Sequence, residues 1–134
     1  IIGKAYVNIR DEKVAGGVIT PGMLVERTST DTVIAHNSAG GEVAPLFAIE
    51  DILQGNGIDD NYASADLVSL WRPIPGEQVY ARIDPTSGSA VVIGEFLQSA
   101  GDGTLVALTS GALEHCAVAL EAKAAGELCL VEIL

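Results

Sequence analysis

Turn-forming residues interrupt this sequence at short intervals, and that rhythm limits the folds open to it. Gly16-Gly17, Pro21-Gly22, the stretch 37–41, Gly55-Asn56-Gly57, 73–76, 85–88, Gly101-Asp102-Gly103 and Gly126 are all turn signals. Between them lie brief apolar and β-branched runs at 23–26, 32–36, 45–49, 67–71, 78–83, 90–93, 105–108, 116–120 and 128–133. Many short strands at this spacing predict an all-β fold, a small antiparallel β-barrel or sandwich. Fifteen glycines fit such a turn-rich chain.

One segment departs from the pattern. Residues 112–123 are rich in helix formers, and Leu113, Cys116, Ala117, Leu120 and Ala124 would share one helical face. The sequence therefore predicts a short helix over 111–115 running into a strand over 116–121. Folding 115–121 back on 127–133 through Ala124-Ala125-Gly126 would set Cys116 opposite about Glu132, not Cys129. Both cysteines then read as small buried hydrophobes. A zinc site would need His36, His115 and both cysteines to converge, and metal-ligand spacings are absent.

The first fifteen residues differ from the rest. Ala5, Val7 and Ile9 alternate with Lys4, Tyr6, Asn8 and Arg10, the period of a strand. Lys4, Arg10 and Lys13 are three of the seven cations, whereas 28–71 holds no Lys or Arg. The sequence predicts an extended basic arm at 1–15 and a single β-domain over 16–134. Such an arm can add a strand to another chain's exposed sheet edge.

A weak internal echo runs through the domain. The segments 21–26, 33–35 and 45–50 form one series, and 93–98, 105–107 and 117–121 form another. In each, a Gly-led apolar entry precedes a strand, and the last strand ends on an acid. Two related β-units closing one barrel would give this pattern, and so would chance similarity among strands of small residues.

At 134 residues the chain fits one domain, and a 49% hydrophobic fraction can supply its core. A net charge of −11 opposes capture of nucleic acid, which needs clustered Lys and Arg to displace counterions. It also opposes an anionic membrane surface. No run approaches the roughly 20 apolar residues of a transmembrane helix, and no basic stretch followed by an apolar one marks a signal peptide. The start Ile1-Ile2-Gly3, without Met, fits a chain that was trimmed or cloned, with a short leader ahead of Ile1 missing.

No catalytic constellation is visible. His36 and His115 are the two histidines, and Ser64, Ser69, Ser87 and Ser110 stand in no Gly-x-Ser-x-Gly context. Glu50-Asp51, Asp59-Asp60 and Asp66 are paired acids, but one Trp, three Tyr and two Phe are poor material for a sugar-stacking cleft. The stretch 51–59 lacks the ligand order of a calcium loop. Gly55-Asn56-Gly57 lacks the third spaced Gly or the Lys-Ser/Thr of a phosphate loop. The sequence predicts no enzyme, no cofactor and no metal.

The middle of the chain carries a resemblance. Residues 45–51 (PLFAIED), 55–66 (GNGIDDNYASAD) and 75–81 (PGEQVYA), followed by 93–103 and 117–122, resemble capsid decoration (cement) proteins of tailed bacteriophages with HK97-type heads. The likeness covers roughly residues 20–134, and the Gly-Ile-Asp-Asp-x-Tyr-Ala-x-x-Asp run is its most specific part. It implies a structural protein on the outer surface of the virion capsid, bound to the major capsid protein. That protein would stabilise the expanded lattice against internal DNA pressure. It implies a homo-oligomer, a trimer before a dimer, and brings no catalytic residue with it. The capsid-binding residues expected on the basic arm are Lys4, Tyr6, Val7, Ile9, Arg10 and Lys13. Two other classes compete: a carbohydrate-binding or adhesive β-domain exposing Tyr62, Trp71 and Tyr80, and a small metal-dependent β-barrel enzyme.

Overall fold

The computed structural model of the chain describes residues 1–4, 10–109 and 114–134. Short apolar runs between Gly and Pro turns form the strands β1 (Ile2–Lys4), β2 (Arg10–Ala15), β3 (Val25–Arg27), β4 (Thr32–Ala35), β5 (Phe47–Ala48) and β6 (Leu67–Trp71). They continue as β7 (Gln78–Arg82), β8 (Phe96–Ser99), β9 (Leu105–Ala107), β10 (Ala117–Ala119) and β11 (Leu128–Ile133). The helical element among the described residues is a 3₁₀ turn, Ile52–Gln54. One sheet runs β1-β7-β11-β10-β8-β9 and the other β3-β4-β2-β6-β5. They pack as a sandwich. Bridges at Leu24–Phe47 and Ile83–Leu105 curl each sheet without closing a barrel.

The two sheets repeat one connectivity. In the first unit, β2 runs antiparallel to β6 and parallel to β4, while β3–β4 and β5–β6 are antiparallel pairs. In the second, β7 runs antiparallel to β11 and meets β9 in a parallel bridge, while β8–β9 and β10–β11 are antiparallel pairs. Leu24–Phe47 joins β3 to β5 as Phe96–Val118 joins β8 to β10. Details recur as well. The Ile19–Tyr62 bridge has its counterpart in Val91–Lys123. Gly22 (φ 90) donates its N–H to Ala48 O at 2.8 Å, and Gly94 (φ 86) donates to Ala119 O at 2.8 Å. Asp66 accepts from Ala63 N–H at 2.8 Å and Glu127 from Ala124 N–H at 3.0 Å, each closing the turn before the last strand. The echo in the sequence is thus one of structure, although the units make two sheets and not one barrel.

Strand alternation gives each unit its own interior. Val25, Val33, Ala48, Val68 and Leu70 pack with Ile19 and Tyr62 in the first unit. Leu97, Leu105, Ala117, Ala119, Cys129 and Val131 pack in the second. The neighbouring positions Leu24, Phe47, Ile49 and Trp71 point away from the first interior, and each is at most 3% exposed because it joins the second unit's core. Burial of such side chains stabilises by about 1.5–3 kcal/mol each, so this joint holds the two units as one domain. Backbone bonds cross it too: Arg82 N–H donates to Gly22 O (3.0 Å), Leu24 N–H to Gly103 O (2.8 Å) and Gly103 N–H to His36 O (3.0 Å).

Several expectations change. The all-β class stands, with β2–β4 the one parallel pair of named strands. The strand expected at 90–93 is a bridge at Val91 followed by a turn, because Gly94 takes positive φ and Glu95 holds Val92 N–H at 2.8 Å; the strand follows at Phe96. Of the helix expected at 111–115, residues 111–113 lie outside the described residues, and Glu114 and His115 are not helical. Cys116 falls beside Leu134, since Ala117 pairs with Ile133. The described parts of residues 1–15 lie in strands of the two sheets, and residues 5–9 of the expected arm lie outside the described residues. β1 pairs with β7, and β2 lies between β4 and β6 with Ala15 buried.

Candidate interaction surfaces

Of the six residues expected to grip a capsid, Tyr6, Val7 and Ile9 lie outside the described residues. Lys4 pairs with Gln78 at the edge of one sheet, whereas Arg10 and Lys13 lie in the other. Lys13 Nζ sits 3.7 Å from Asp11 Oδ2, and Arg27 Nη2 reaches the same carboxylate at 2.9 Å. Lys13 and Arg27 thus share one acid within the fold. Arg10 is exposed at the start of β2, opposite Trp71. It lines an open groove of about 470 Å³ with Glu12, Glu50, Asp51, Ile52 and Leu53. A groove holding one cation, several acids and two exposed aliphatic side chains suits a protein surface better than a small anion.

A polar cluster that sequence reasoning missed joins the units. His36 Nδ1 lies 2.6 Å from Ser99 Oγ and Nε2 lies 3.0 Å from Glu42 O, with Glu26 Oε2 at 3.6 Å. With Nε2–H donating to the carbonyl, Nδ1 accepts from the Ser99 hydroxyl, whose oxygen accepts Gly101 N–H at 3.1 Å. The geometry copies a nucleophile–base pair. Ser99, however, is fully buried and closed to substrate, so the cluster works as a cross-brace. The two residues are 63 positions apart, a separation that carries no local signal.

The thiols are similarly enclosed. Burial pushes the Cys116 thiol up to about 11 and raises that of Cys129, which keeps both protonated and weakly nucleophilic at neutral pH. Among the described residues no three His, Cys, Asp or Glu side chains gather as metal ligands. Of the aromatics proposed for sugar stacking, Trp71 and Tyr62 are buried, and the Tyr62 hydroxyl donates to Ile49 O at 2.7 Å. Desolvation raises the Tyr62 pKa. Tyr80 alone of those three is exposed.

Large exposed apolar side chains lie on both units. On the first unit, Ile52 and Leu53 of the 3₁₀ turn project beside Ser69 of β6, and Leu67 at the start of β6 is 60% exposed. On the second, Val92 and Ile93 crown the turn before β8, Phe96 is 49% exposed, and Leu108 lies across from Phe96 beyond the end of β9. The His115 ring packs against Phe96 at 5.2 Å between centroids. No described helix is long and apolar enough to cross a membrane.

No family model and no curated protein matches this chain. Among solved structures it is similar to the head fiber gp8.5 N base in bacteriophage phi29, with a TM-score of 0.63 over 96% of this chain and 95% of that one. Identity is 18%, so the likeness is one of fold. It spans both five-stranded units.

Proposed function

We propose that this chain is a structural protein of a tailed-bacteriophage head, bound to the major capsid protein on the outer surface of the expanded lattice. There it acts as a cement against internal DNA pressure. The observation that carries this reading is the end-to-end likeness of fold to a head fiber base. The resemblance of residues 20–134 to capsid decoration proteins points the same way. An acidic body of net charge −11 suits a position facing away from packaged DNA. Lattice binding by many copies allows each contact to be weak. The chain would act without cofactor or catalysis and as a homo-oligomer, with a trimer favoured. Within residues 1–15, β1 and β2 would contribute to shell binding from within the two sheets, so deleting 1–15 would remove a strand from each sheet.

The test is co-sedimentation of the purified chain with expanded and unexpanded heads assembled without it. Saturable binding to expanded heads alone is expected. Absence of binding to both forms would contradict the proposal. The adhesive reading loses its stacking platform with the burial of Trp71 and Tyr62.

A further inference from the structure

The outward face of the first unit is only partly covered. Directly opposed residues of β2 and β6, Arg10 with Trp71 and Glu12 with Ser69, share that face. Its Trp71 end is buried under the second unit together with Leu24, Phe47 and Ile49. Beyond that joint the face opens as the groove of about 470 Å³. In the strand order β2-β6-β5, β2 brings Arg10 and Glu12 to one side of Ser69, and the segment after β5 brings Asp51, Ile52 and Leu53 to the other. Ile52 is 67% and Leu53 94% exposed. The 3₁₀ turn closes its own bonds, Gln54 N–H to Asp51 O at 3.2 Å and Gly55 N–H to Ile52 O at 3.0 Å, and so holds both side chains out. Around this apolar pair acids prevail. Asp11 is shared by Lys13 and Arg27, and Glu50 Oε1 receives the Ile1 amine at 3.3 Å. Glu12 and Asp51 join no ion pair among the described residues, and Glu50 Oε2 is buried without a hydrogen-bond partner. No Lys or Arg occurs over 28–71, so the segment 50–53 brings no cation of its own.

We infer that this groove docks a cationic segment of a partner protein, with a Lys or Arg side chain set between Glu12 and Asp51 and aliphatic neighbours against Ile52 and Leu53. Charge selects the sign of the occupant, since an acidic segment would meet Glu12, Glu50 and Asp51 together. The exposed pair selects its apolar part, because covering Ile52 and Leu53 removes apolar area from water. A free metal ion would gain nothing from that pair. A second copy of this chain, at a net charge of −11, is a poor source of such a segment. The inference rests on the proposed function and narrows it: the partner is the shell subunit, and this groove is the surface that meets it. The second unit supplies a comparison face. Its exposed Phe96 and Leu108 match the buried Leu24 and His36, as Leu108 N–H donates to Phe96 O at 2.8 Å and His36 N–H to Leu24 O at 3.0 Å.

Co-sedimentation of the full chain with expanded heads assembled without it, at low and at high salt, tests the groove. The wild type is expected to bind less tightly as salt rises, because screening weakens attraction between opposite charges. Leu53→Ser, at an exposed position, should weaken binding at least roughly 5-fold at either salt, the loss that separates a contributing interface side chain from a neutral one. Glu12→Lys sets cation against cation and should weaken it at least roughly 10-fold at low salt, with the gap narrowing at high salt. Phe96→Glu should bind as the wild type does. Unchanged circular dichroism and melting would show that all three variants fold. Wild-type binding that ignores salt, or tightens with it, would overturn the cationic occupant. Normal binding by both Leu53→Ser and Glu12→Lys would overturn the groove, and loss through Phe96→Glu alone would move the contact to the second unit. In each of those cases the chain still binds heads, so the inference fails while the proposed function stands. A wild type that binds at neither salt would remove both.

Discussion

The first and second units share a connectivity and differ at the face that follows from it. Trp71 and Glu132 occupy matching places, each opposite the first residue of its unit's leading strand, Arg10 and Gln78. Trp71 is wholly buried in the joint, whereas Glu132 is only half-buried. Equivalent backbone thus serves a core in one unit and a surface in the other. The difference lies in what is packed on the sheet and not in the sheet itself.

Substitution at matched positions sharpens that contrast most. Trp71→Ala should lower stability by about 3–5 kcal/mol, as truncation of a buried aromatic does. Glu132→Ala should stay within about 0.5 kcal/mol. Urea unfolding followed by circular dichroism would read both, and equal losses would break the comparison. The cross-brace is the next largest effect. His36→Leu imports the matching residue, Leu108, and leaves the Ser99 hydroxyl buried without its acceptor, at a cost of about 1–3 kcal/mol. Adding Ser99→Ala should return part of that loss in a double-mutant cycle.

A smaller effect sits in the turns before β6 and β11. Ala65 (φ 74) occupies the place held by Gly126 (φ 83) in the second unit. Left-handed backbone strains a residue with a Cβ, so Ala65→Gly should stabilise and Gly126→Ala destabilise, each by about 1 kcal/mol. Thermal melts of the pair would show opposite signs.

The smallest effect is acid sensitivity at Asp84 of the second unit. Asp84 accepts from Thr86 N–H at 2.9 Å, from Thr86 Oγ1 at 2.8 Å and from Ser89 Oγ at 3.2 Å. The backbone bond from Thr86 is the main cause holding its pKa below the ordinary carboxylate value. A carboxyl depressed in the folded state stabilises above its unfolded pKa, and that contribution is lost as pH falls below about 4. The matching place in the first unit is Gly16, which carries no carboxyl. Asp84→Asn should therefore flatten the fall in urea midpoint between neutral pH and about pH 3, and an unchanged slope would remove Asp84 as its source.

Much of this architecture is legible in the sequence. The turn spacing gives the strands, and the two series of Gly-led entries fall on the repeated strands, although small-residue strands alone did not separate a repeat from chance. Less legible is which apolar face is covered. Residues 128–131 (LCLV) and 117–120 (AVAL) are apolar on both sides, and strand alternation alone does not say which side is inward. The sharing of Asp11 between Lys13 and Arg27 was not legible either, because Arg27 is 16 positions away and meets Asp11 only after folding. Likewise, the His36–Ser99 brace exists only in three dimensions.

The central claim is that the chain is an outer structural component of a phage head. Cryo-electron microscopy of expanded heads with and without the chain tests it most directly, through the difference density. Added density outside the shell, with each copy fitted by the two-unit sandwich, is the predicted result. Heads with no added density, or with density on the inner surface, would contradict the account.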